Sequence, residues 1–298
     1  MSQQFSEQEQ QQQALKQFAT DRGWRITKEQ PIAHGVQIVL ARSHELVNVN
    51  IYKSGKVVVG GKSGPGRDEV QQWANYAARP DQNNGSFDAN HIGADESGKG
   101  DLFGPLAVAA VAVDPDISDK LIRLNVRDSK SVSDSVIPSI AHMIIEACPH
   151  SVTTLMPKQY NQLYIEHGSN LNLLLAWAHA TNIAKLSREV EVDYVLLDQF
   201  SENTLLLEDA LTQALCNLPL RQRTKAESDI AVAAASILAR DAFLKGIKQL
   251  REELSVKLPL GSSSPEIRQT AVDIQLQLGR DVLGRVAKMH FSTVSDLR

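Results

Sequence analysis

Two adjacent carboxylates, Asp95 and Glu96, lie in a run that starts apolar and then becomes rich in glycine. The run reads HIGADESGKGDLFGP over residues 91–105. Aspartate and glutamate oxygens are the ligands that hard cations such as Mg²⁺ and Mn²⁺ prefer, whereas cysteine and histidine favour Zn²⁺. Two such cations, about 3.5–4 Å apart, can activate water and stabilise a departing oxygen in the hydrolysis of an anionic phosphodiester. The stretch is therefore a candidate divalent-metal site.

The simplest arrangement is a strand that ends at Asp95, a tight turn through three glycines, and a returning strand over residues 106–113. Neighbouring residues of a strand point to opposite faces, so Asp95 and Glu96 cannot both face one point inside a regular strand. We expect the glycines to release the chain from that register, so that both carboxylates converge on one cation.

Two other interpretations compete for this run. Gly93, Gly98 and Lys99 have the spacing of the first part of a phosphate-binding loop, but residue 100 is glycine where that motif needs serine or threonine. Asp95 and Glu96 would also lie where backbone amides must surround anionic phosphates. The remaining alternative is a solvated acidic turn, which is the usual fate of an Asp-Glu pair.

The residues between 91 and 106 resemble the first active-site motif of the type 2 ribonucleases H. The Gly98-Lys99-Gly100 form and the N-terminal extension resemble ribonuclease HIII in particular. Further matches follow in the family's order at residues 128–130, 160–164, 170–177, 197–200, 233–240 and 288–291. The resemblance covers most of residues 90–298.

The resemblance implies an endonuclease that hydrolyses the RNA strand of RNA–DNA hybrids at a two-metal site holding Mg²⁺ or Mn²⁺, leaving 5′-phosphate and 3′-hydroxyl ends. It implies that Asp95, Glu96 and Asp198 are catalytic metal ligands. Residues expected to bind the substrate are Gly98, Lys99, Gly100, Ser129 and Lys130. The glycine–lysine–glycine segment matches the family's contact to the 2′-hydroxyls, which distinguish RNA from DNA.

The fourth carboxylate of the family has two candidates, Glu227 and Asp229. Lys225-Ala226-Glu227 resembles a segment of the ribonuclease HII enzymes, which favours Glu227, and Asp229 lies closer to the alanine-rich stretch at residues 231–247. We predict Asp229 as the catalytic metal ligand, because a helix N-terminus beside the sheet rim would hold its short side chain toward Asp95. The competing interpretation of Asp229 is an N-cap of that helix.

From residue 90 onward, strand and helix patterns alternate, which predicts an α/β fold; the resemblance implies a ribonuclease H-like mixed sheet with flanking helices. Residues 194–197 form a short buried strand that ends at Asp198, and strand ends at a sheet rim are common places for sites. Helices are predicted at 158–166, 171–186 and 231–247, with closing helices over 266–288 broken near Gly279 and Gly284.

Residues 1–80 read as a small α+β unit, and the polar, turn-rich residues 81–89 as its linker to a catalytic domain at 90–298. Three strands are predicted at 36–40, 46–52 and 56–59, between helices at 3–20 and 68–78. Residues 23–67 contain seven basic and two acidic residues, a local charge near +5 in a chain of net charge −4. The resemblance implies a fold like the TATA-binding protein and a role in substrate binding, consistent with phosphate affinity from a local basic surface.

Composition is typical of a soluble globular chain, with 42% hydrophobic and 22% charged residues. Only two cysteines occur, Cys148 and Cys216, without metal-binding spacing, and they are expected to be buried thiols of a reducing compartment. No long apolar run is present, so we expect a cytoplasmic protein without membrane contact. We also expect a monomer.

Two histidines outside the acidic motif, His179 and His290, are expected to be packed interior side chains. Two alternative functions remain open on the sequence. The first is a ribonuclease HII-like enzyme that cuts at single ribonucleotides in DNA, against which the basic N-terminal region and Gly98-Lys99-Gly100 argue. The second is a non-catalytic hybrid-binding protein, against which the retained acidic residues argue.

Overall fold

The computed structural model of the chain describes residues 7–54, 56–77, 90–198, 200–201, 203, 205–223, 226–295 and 297. Contacts between Cα atoms divide the chain into two compact units, residues 1–86 and 87–298. The linker predicted over residues 81–89 lies outside the described residues. Within the described residues, no helix is long and apolar enough to cross a lipid bilayer.

The first unit is a four-stranded antiparallel sheet with two helices. Its elements are α1 (Glu7–Asp21), β1 (Arg25–Ile32), β2 (Gly35–Arg42), β3 (Glu45–Tyr52), β4 (Val57–Gly61) and α2 (Pro65–Ala77). The strands lie side by side in chain order. Alternate residues of β2 and β3, such as Ile38 and Val49, are fully buried with Leu15 of α1 and Val70 of α2. One face of the sheet is therefore covered by the helices, and the other is open.

The strand β1 is not among the three strands predicted from the sequence. Its sequence, RITKEQPI, is mostly polar and contains Pro31, and most of its residues are exposed or half-buried. Such a pattern carries little hydrophobic alternation, because an edge strand needs to bury only part of one face. The strand β1 is recognised from its backbone pairing with β2, which extends from Arg25 to Ile32.

The second unit contains a five-stranded mixed sheet surrounded by helices. Its strands are β5 (His91–Ser97), β6 (Leu106–Val113), β7 (His150–Leu155), β8 (Tyr194–Asp198) and β9 (Leu220–Arg223). Its helices are α3 (Pro115–Arg123), α4 (Ile137–Ala147), α5 (Pro157–Glu166), α6 (Leu171–Leu186), α7 (Leu205–Gln213), α8 (Ile230–Leu254), α9 (Pro265–Leu278), α10 (Arg280–Val286) and α11 (Ser292–Ser295). Two short 3₁₀ turns lie at Ser129–Ser131 and Ala226–Ser228.

The order of strands in this sheet is β7-β6-β5-β8-β9. The central strand β5 pairs antiparallel with β6 and parallel with β8. The ends of β5 and β8 therefore lie side by side at one rim of the sheet, which is where Asp95, Glu96 and Asp198 occur. This arrangement confirms the predicted mixed α/β fold.

The long helix α8 lies directly against β5. A Cβ atom on Gly93 would clash with the backbone of Ala231 and Val232, so only glycine permits this close approach. Small side chains on α8, including Ala233, Ala234 and Ala235, are fully buried and pack against β6 residues such as Ala109 and Val111. The alanine-rich sequence of α8 thus brings its polar residues close to the rim of the sheet.

Several element boundaries differ from the sequence predictions, among them the end of α8, which lies at Leu254 and not at residue 247. The strand β5 does not end at Asp95 but continues to Ser97, because Glu96 and Ser97 pair with Val108 and Ala107 of β6. The closing helices break at Gly279, as predicted, but α10 runs through Gly284 without a break.

Candidate active site

Eight of the nine residues predicted as site residues line one cleft of about 450 Å³ at the rim of the second sheet. The eight residues are Asp95, Glu96, Gly98, Lys99, Gly100, Ser129, Lys130 and Asp198. Ser236, Arg240 and Asp134 also contribute to its lining. We call this feature the carboxylate cleft. Three separate segments of the chain thus bring acidic, basic and glycine residues to one place.

Asp95 points to the face of the sheet that α8 covers. Its Oδ1 accepts a hydrogen bond from the backbone N–H of Glu96 at 2.8 Å, and its carboxylate also interacts with the hydroxyl of Ser236 on α8. Burial and the adjacent charge of Glu96 raise the pKa of Asp95 to about 7, which these hydrogen bonds and Lys130 only partly counteract. Asp95 is thus a carboxylate whose charge is poorly compensated by the protein alone.

Glu96 points to the opposite face, toward α6. Its Oε2 lies 3.1 Å from Nε2 of His179, and its Oε1 lies 2.9 Å from Nζ of Lys99. Burial by itself would raise the pKa of Glu96, but the hydrogen bond with His179 and the ammonium of Lys99 lower this pKa to about 2. Glu96 therefore remains ionised.

The predicted release of the chain from the strand register at Asp95 and Glu96 is wrong. Both residues belong to the regular part of β5, so their side chains leave on opposite faces. They nevertheless line the same cleft, because they lie near the end of the strand where the cleft reaches around the rim.

Asp198, the last residue of β8, is connected to the turn that carries Glu227. Its Oδ1 accepts a hydrogen bond from the backbone N–H of Ala226 at 3.3 Å. Burial lowers the pKa of Lys130, but the charges of Asp128, Asp95, Glu227 and Asp198 outweigh it and raise that pKa above its usual value. Lys130 is thus electrostatically coupled to Asp95, Asp198 and Glu227.

Asp229 does not line the carboxylate cleft, and the prediction that it faces Asp95 is wrong. It is the N-cap of α8: its Oδ1 accepts hydrogen bonds from the backbone N–H groups of Ala231 at 2.8 Å and Val232 at 3.2 Å. The same carboxylate lies 3.1 Å from Nε2 of His91, at the beginning of β5. Burial opposes ionisation of Asp229, but His91 and the backbone N–H groups lower its pKa below the usual value.

The location of His91 explains why Asp229 is far from the other carboxylates. His91 and Asp95 are four positions apart on β5, and a strand rises about 3.3 Å per residue, so roughly 13 Å of strand separates them. Asp229 therefore has the alternative role considered from the sequence, that of the N-cap of α8.

Ser129 is part of a hydroxyl network that connects the cleft to α8. Its Oγ lies 2.7 Å from Oγ of Ser236, which in turn lies 3.0 Å from Oδ1 of Asp128. A hydroxyl has one proton to donate, so Asp128 and Asp95 compete for the proton of Ser236. Whichever carboxylate receives the proton of Ser236, the hydroxyl of Ser129 donates its own proton to Ser236. The oxygen of Ser129 can then still accept a hydrogen bond.

The glycine-rich loop after β5 is held by a distant segment of the chain. Gly98 has φ of +86°, a conformation that favours glycine. Further along the loop, the buried ammonium of Lys288 donates to the backbone oxygens of Asp101 and Gly104, each at 2.8 Å. The backbone N–H of Gly104 also donates to Val286, at 3.0 Å. These bonds fix the part of the loop that follows Gly98, Lys99 and Gly100.

The donor set of the cleft suits a hard divalent cation. Within the described part of the chain, no three His, Cys, Asp or Glu side chains are already close enough to enclose a metal ion. However, the ammonium of Lys99 occupies the position of a cation on Glu96 Oε1. The raised pKa of Asp95 likewise indicates a carboxylate that lacks a positive partner. Asp95, Glu96 and Asp198 fit Mg²⁺ or Mn²⁺, and Glu227 could join them from the turn next to Asp198.

Four residues in or next to the cleft are not identified as site residues from the sequence. His179 is predicted to be a packed interior histidine; it is fully buried, but it also contacts Glu96. Ser236 lies inside the matching segment 233–240, and the signal for its role is a single hydroxyl among alanines that the helix presses against the sheet. The other two, Arg240 and Asp134, form an ion pair with two hydrogen bonds at the cleft, with nitrogen–oxygen distances of 2.9 and 2.8 Å.

Comparison with known proteins agrees with this geometry. The ribonuclease HII family model matches residues 92–294. Ribonuclease HIII of Chlamydia muridarum is 40% identical over 257 residues, which cover 83% of this chain and 82% of that protein. Ribonuclease HIII of Protochlamydia amoebophila is 42% identical over 204 residues, covering 68% and 67%.

Solved structures of similar fold are also ribonucleases H. The crystal structure of Bst-RNase HIII in complex with Mn²⁺ superposes with a TM-score of 0.65 at 29% identity, covering 95% of this chain and 94% of that one. Aquifex aeolicus RNase H3 superposes with a TM-score of 0.58 at 25% identity, covering 95% and 97%. Both likenesses span both units of the chain. The sequence relatives, the family model and the fold together show that this chain belongs to the ribonuclease HIII family and is a ribonuclease H.

Proposed function

We propose that the chain is an endonuclease that hydrolyses the RNA strand of RNA–DNA hybrids at the carboxylate cleft. The observation that carries this proposal is the meeting of Asp95, Glu96, Asp198 and the substrate-binding candidates in one cleft, although they come from three separate segments. Divalent cations bound there would activate water and stabilise the departing 3′ oxygen, so that the products carry 5′-phosphate and 3′-hydroxyl ends.

The metal ligands in this proposal are Asp95, Glu96, Asp198 and Glu227. Glu227 replaces Asp229 because its turn is hydrogen-bonded to Asp198, whereas the carboxylate of Asp229 is used by the helix N-terminus and His91. The network of Ser236 and Asp128 holds Asp95, and Lys99 and His179 hold Glu96. The protein's own contribution is thus to fix the orientation of the carboxylates at a partly buried rim.

Substrate contacts in this proposal come from both sides of the carboxylates. Backbone N–H groups at Gly98 and Gly100 can approach the RNA strand closely, because these residues have no side chain. Lys99 and Lys130 supply positive charge for the backbone phosphates. Contacts to 2′-hydroxyls in this segment would select RNA over DNA.

We also propose that the first unit binds the hybrid through the open face of its sheet. Side chains opposite each other on neighbouring strands share a face. Gln30, Gln37 and Asn50 form such a row and are joined by side-chain hydrogen bonds of 2.8 and 2.9 Å. Lys28 and Asn48 lie in the next row, on either side of Val39. Carboxamides can donate to and accept from sugars and base edges, and lysines attract phosphates.

The basic character of the first unit is only partly available for such binding. Arg42 pairs with Glu69 and lies over the ring of Trp24, so it stabilises the unit itself. Lys28, Lys53, Lys56 and Lys62 are exposed. Arg25 is exposed as well. We expect these four lysines and Arg25, and not all seven basic residues, to set the dependence of binding on salt.

The central experiment is cleavage of two labelled duplexes with Mg²⁺ or Mn²⁺, one with a continuous RNA strand and one with a single ribonucleotide in DNA. We expect cleavage of the continuous strand, with products that ligate only through a 5′-phosphate. Preference for the single ribonucleotide would favour a ribonuclease HII-like specificity instead. Binding of the hybrid without cleavage under either metal would contradict the proposed activity.

The contribution of the first unit is tested by the slope of hybrid affinity against salt concentration. Changing Lys28 and Lys53 to alanine should reduce this slope by roughly one for each phosphate that the protein no longer neutralises. Lys16→Ala is the matched control, because Lys16 lies on α1 and pairs with Glu29 at 2.9 Å. An unchanged slope in the Lys28 and Lys53 variants would contradict a role of the open face in phosphate binding.

A further inference from the structure

The ring of His179 is fully buried on α6, next to Glu96. Its Nε2 atom lies 3.1 Å from Oε2 of Glu96, and its ring stacks on Phe200 with centroids 5.6 Å apart. The second ring nitrogen, Nδ1, is also buried and has no hydrogen-bond partner among the described residues. One nitrogen of His179 therefore has a defined contact, and the other has none.

A purely structural role does not account for this histidine. A buried polar atom without a partner destabilises the folded state, and an apolar side chain of similar size would fill the same space without that cost. The only polar interaction that His179 makes in the described part of the chain is with Glu96. The presence of a histidine is therefore explained by what it does to Glu96.

The contact defines the orientation of the Glu96 carboxylate. A neutral ring that donates from Nε2 leaves a lone pair on Nδ1, which matches the unpartnered atom. Such a ring orients Oε2 without cancelling the negative charge that a hard cation requires. The other oxygen, Oε1, is left for the carboxylate cleft, where it now contacts the ammonium of Lys99 at 2.9 Å.

We propose that His179 is a positioning residue that holds Oε2 of Glu96 so that Oε1 is presented to a divalent cation in the carboxylate cleft. Lys99, whose ammonium now contacts Oε1, would leave this oxygen when a divalent cation binds there and would then be available to the substrate. This inference rests on the proposed function only in requiring that the cleft binds a divalent cation.

The test is calorimetric titration of Mn²⁺ into the full-length, metal-free protein without substrate. His179→Gln keeps an N–H donor near the position of Nε2, whereas His179→Asn keeps the amide but is too short to reach Glu96. His179→Leu removes the donor entirely. We expect the Gln variant to bind Mn²⁺ within about threefold of wild type, and the Asn and Leu variants to bind about 10- to 100-fold more weakly.

Two further measurements separate positioning from a general defect. The melting temperature in EDTA should be similar for the Gln and Asn variants, and cleavage by the Asn variant should recover as the Mn²⁺ concentration is raised. His150→Gln is the matched control, because His150 on β7 contacts the backbone oxygen of Cys148 and does not line the cleft. It should leave Mn²⁺ affinity unchanged.

Each outcome decides one question. Wild-type Mn²⁺ affinity in the Asn variant would overturn the inference, as would an equal loss in the Gln and Asn variants, since the donor would then not be the cause. If the Leu variant does not fold, the comparison of Gln with Asn still decides. Absence of Mn²⁺ binding by the wild-type protein would contradict the proposed function itself, independently of His179.

Discussion

The backbone N–H of Ala226 donates a hydrogen bond to the carboxylate of Asp198 across 3.3 Å. This bond joins the end of β8 to the 3₁₀ turn Ala226–Ser228, so that the residue after Ala226, Glu227, is held next to Asp198. Two positions further on, Asp229 begins α8 and caps it. Within four residues, the chain therefore passes from a hydrogen bond with Asp198 to the N-terminus of α8.

Glu227→Gln and Asp229→Ala should have opposite effects. Glu227→Gln removes the charge required by a cation and should abolish most turnover with little change in melting temperature. Asp229→Ala removes the N-cap and the partner of His91, so it should lower the free energy of unfolding by about 1 kcal/mol while cleavage persists. Hybrid cleavage and thermal unfolding of both variants test this. An inactive Asp229→Ala protein of normal stability would return the ligand role to Asp229.

Asp198→Asn should remove nearly all turnover while the fold and hybrid binding remain intact. The amide keeps the shape of the side chain and can still accept the hydrogen bond from Ala226, but it loses the negative charge. Single-turnover cleavage at saturating Mg²⁺, together with hybrid affinity, measures the separation of binding from chemistry. A cleavage rate close to that of wild type would refute a role for Asp198 as a ligand.

The stability of the metal-free protein should fall with rising pH because of Asp95. Its pKa is raised from 3.8 to about 7, so its contribution is full below pH 3.8 and is lost as pH rises through 7. Glu96, whose pKa is lowered from 4.5 to about 2, contributes above pH 4.5 and loses its contribution as pH falls through 2. The fall due to Asp95 therefore lies mostly between about pH 4 and 7, whereas Lys288, whose pKa burial lowers from 10.5 to about 7, acts in the opposite direction above pH 7.

The variant Asp95→Asn cannot titrate at this position and isolates the effect. In EDTA, it should gain stability relative to wild type between about pH 5 and 8 by on the order of 2 kcal/mol, given partial access of solvent to the cleft. Denaturant unfolding of both proteins at the two pH values provides the measurement. Parallel pH dependence of the two proteins would show that Asp95 is not protonated in the folded state.

Lys288→Met should loosen the glycine-rich loop. The substitution keeps a side chain of similar length but leaves the backbone oxygens of Asp101 and Gly104 without their donor, which should cost about 1–3 kcal/mol of stability. Amide exchange should increase at Leu102 and Gly104, whose N–H groups donate to Gly261 and Val286. Arg285→Met, at an exposed position on α10, is the control. Unchanged exchange at both loop amides would contradict the role of Lys288.

The acidic, basic and glycine residues of the cleft could be predicted from the sequence because they lie in motifs that resemble those of the type 2 ribonucleases H. Asp95, Glu96 and Asp198 are recognised from residue type and motif order, and the alternation of strands and helices then places them at one rim. Each of these inferences depends on local pattern, which the sequence contains directly.

The predictions that were wrong or missing concern side-chain directions and strand ends, which depend on pairing between segments that are distant in the sequence. Whether Asp229 faces Asp95 or His91 is decided by where α8 begins relative to β5, which in turn depends on the close contact at Gly93. The extension of β5 to Ser97 depends on β6. The partner of His179 is 83 residues away in the sequence, so no local pattern could reveal it.

The bonds between Lys288 and the glycine-rich loop also constrain the order in which the protein can be completed. Lys288 is 187 positions from Asp101, so this loop is bonded to Lys288 only after the strands β5 to β9 have all been synthesised. Contacts of such long sequence separation form late, because a large loss of chain entropy precedes them. A nascent chain on the ribosome can build the sheet around β5 and β6 but cannot fix the loop until Lys288 has emerged. We therefore expect a chain that lacks Lys288 to carry its carboxylates beside a glycine-rich loop that is not yet fixed.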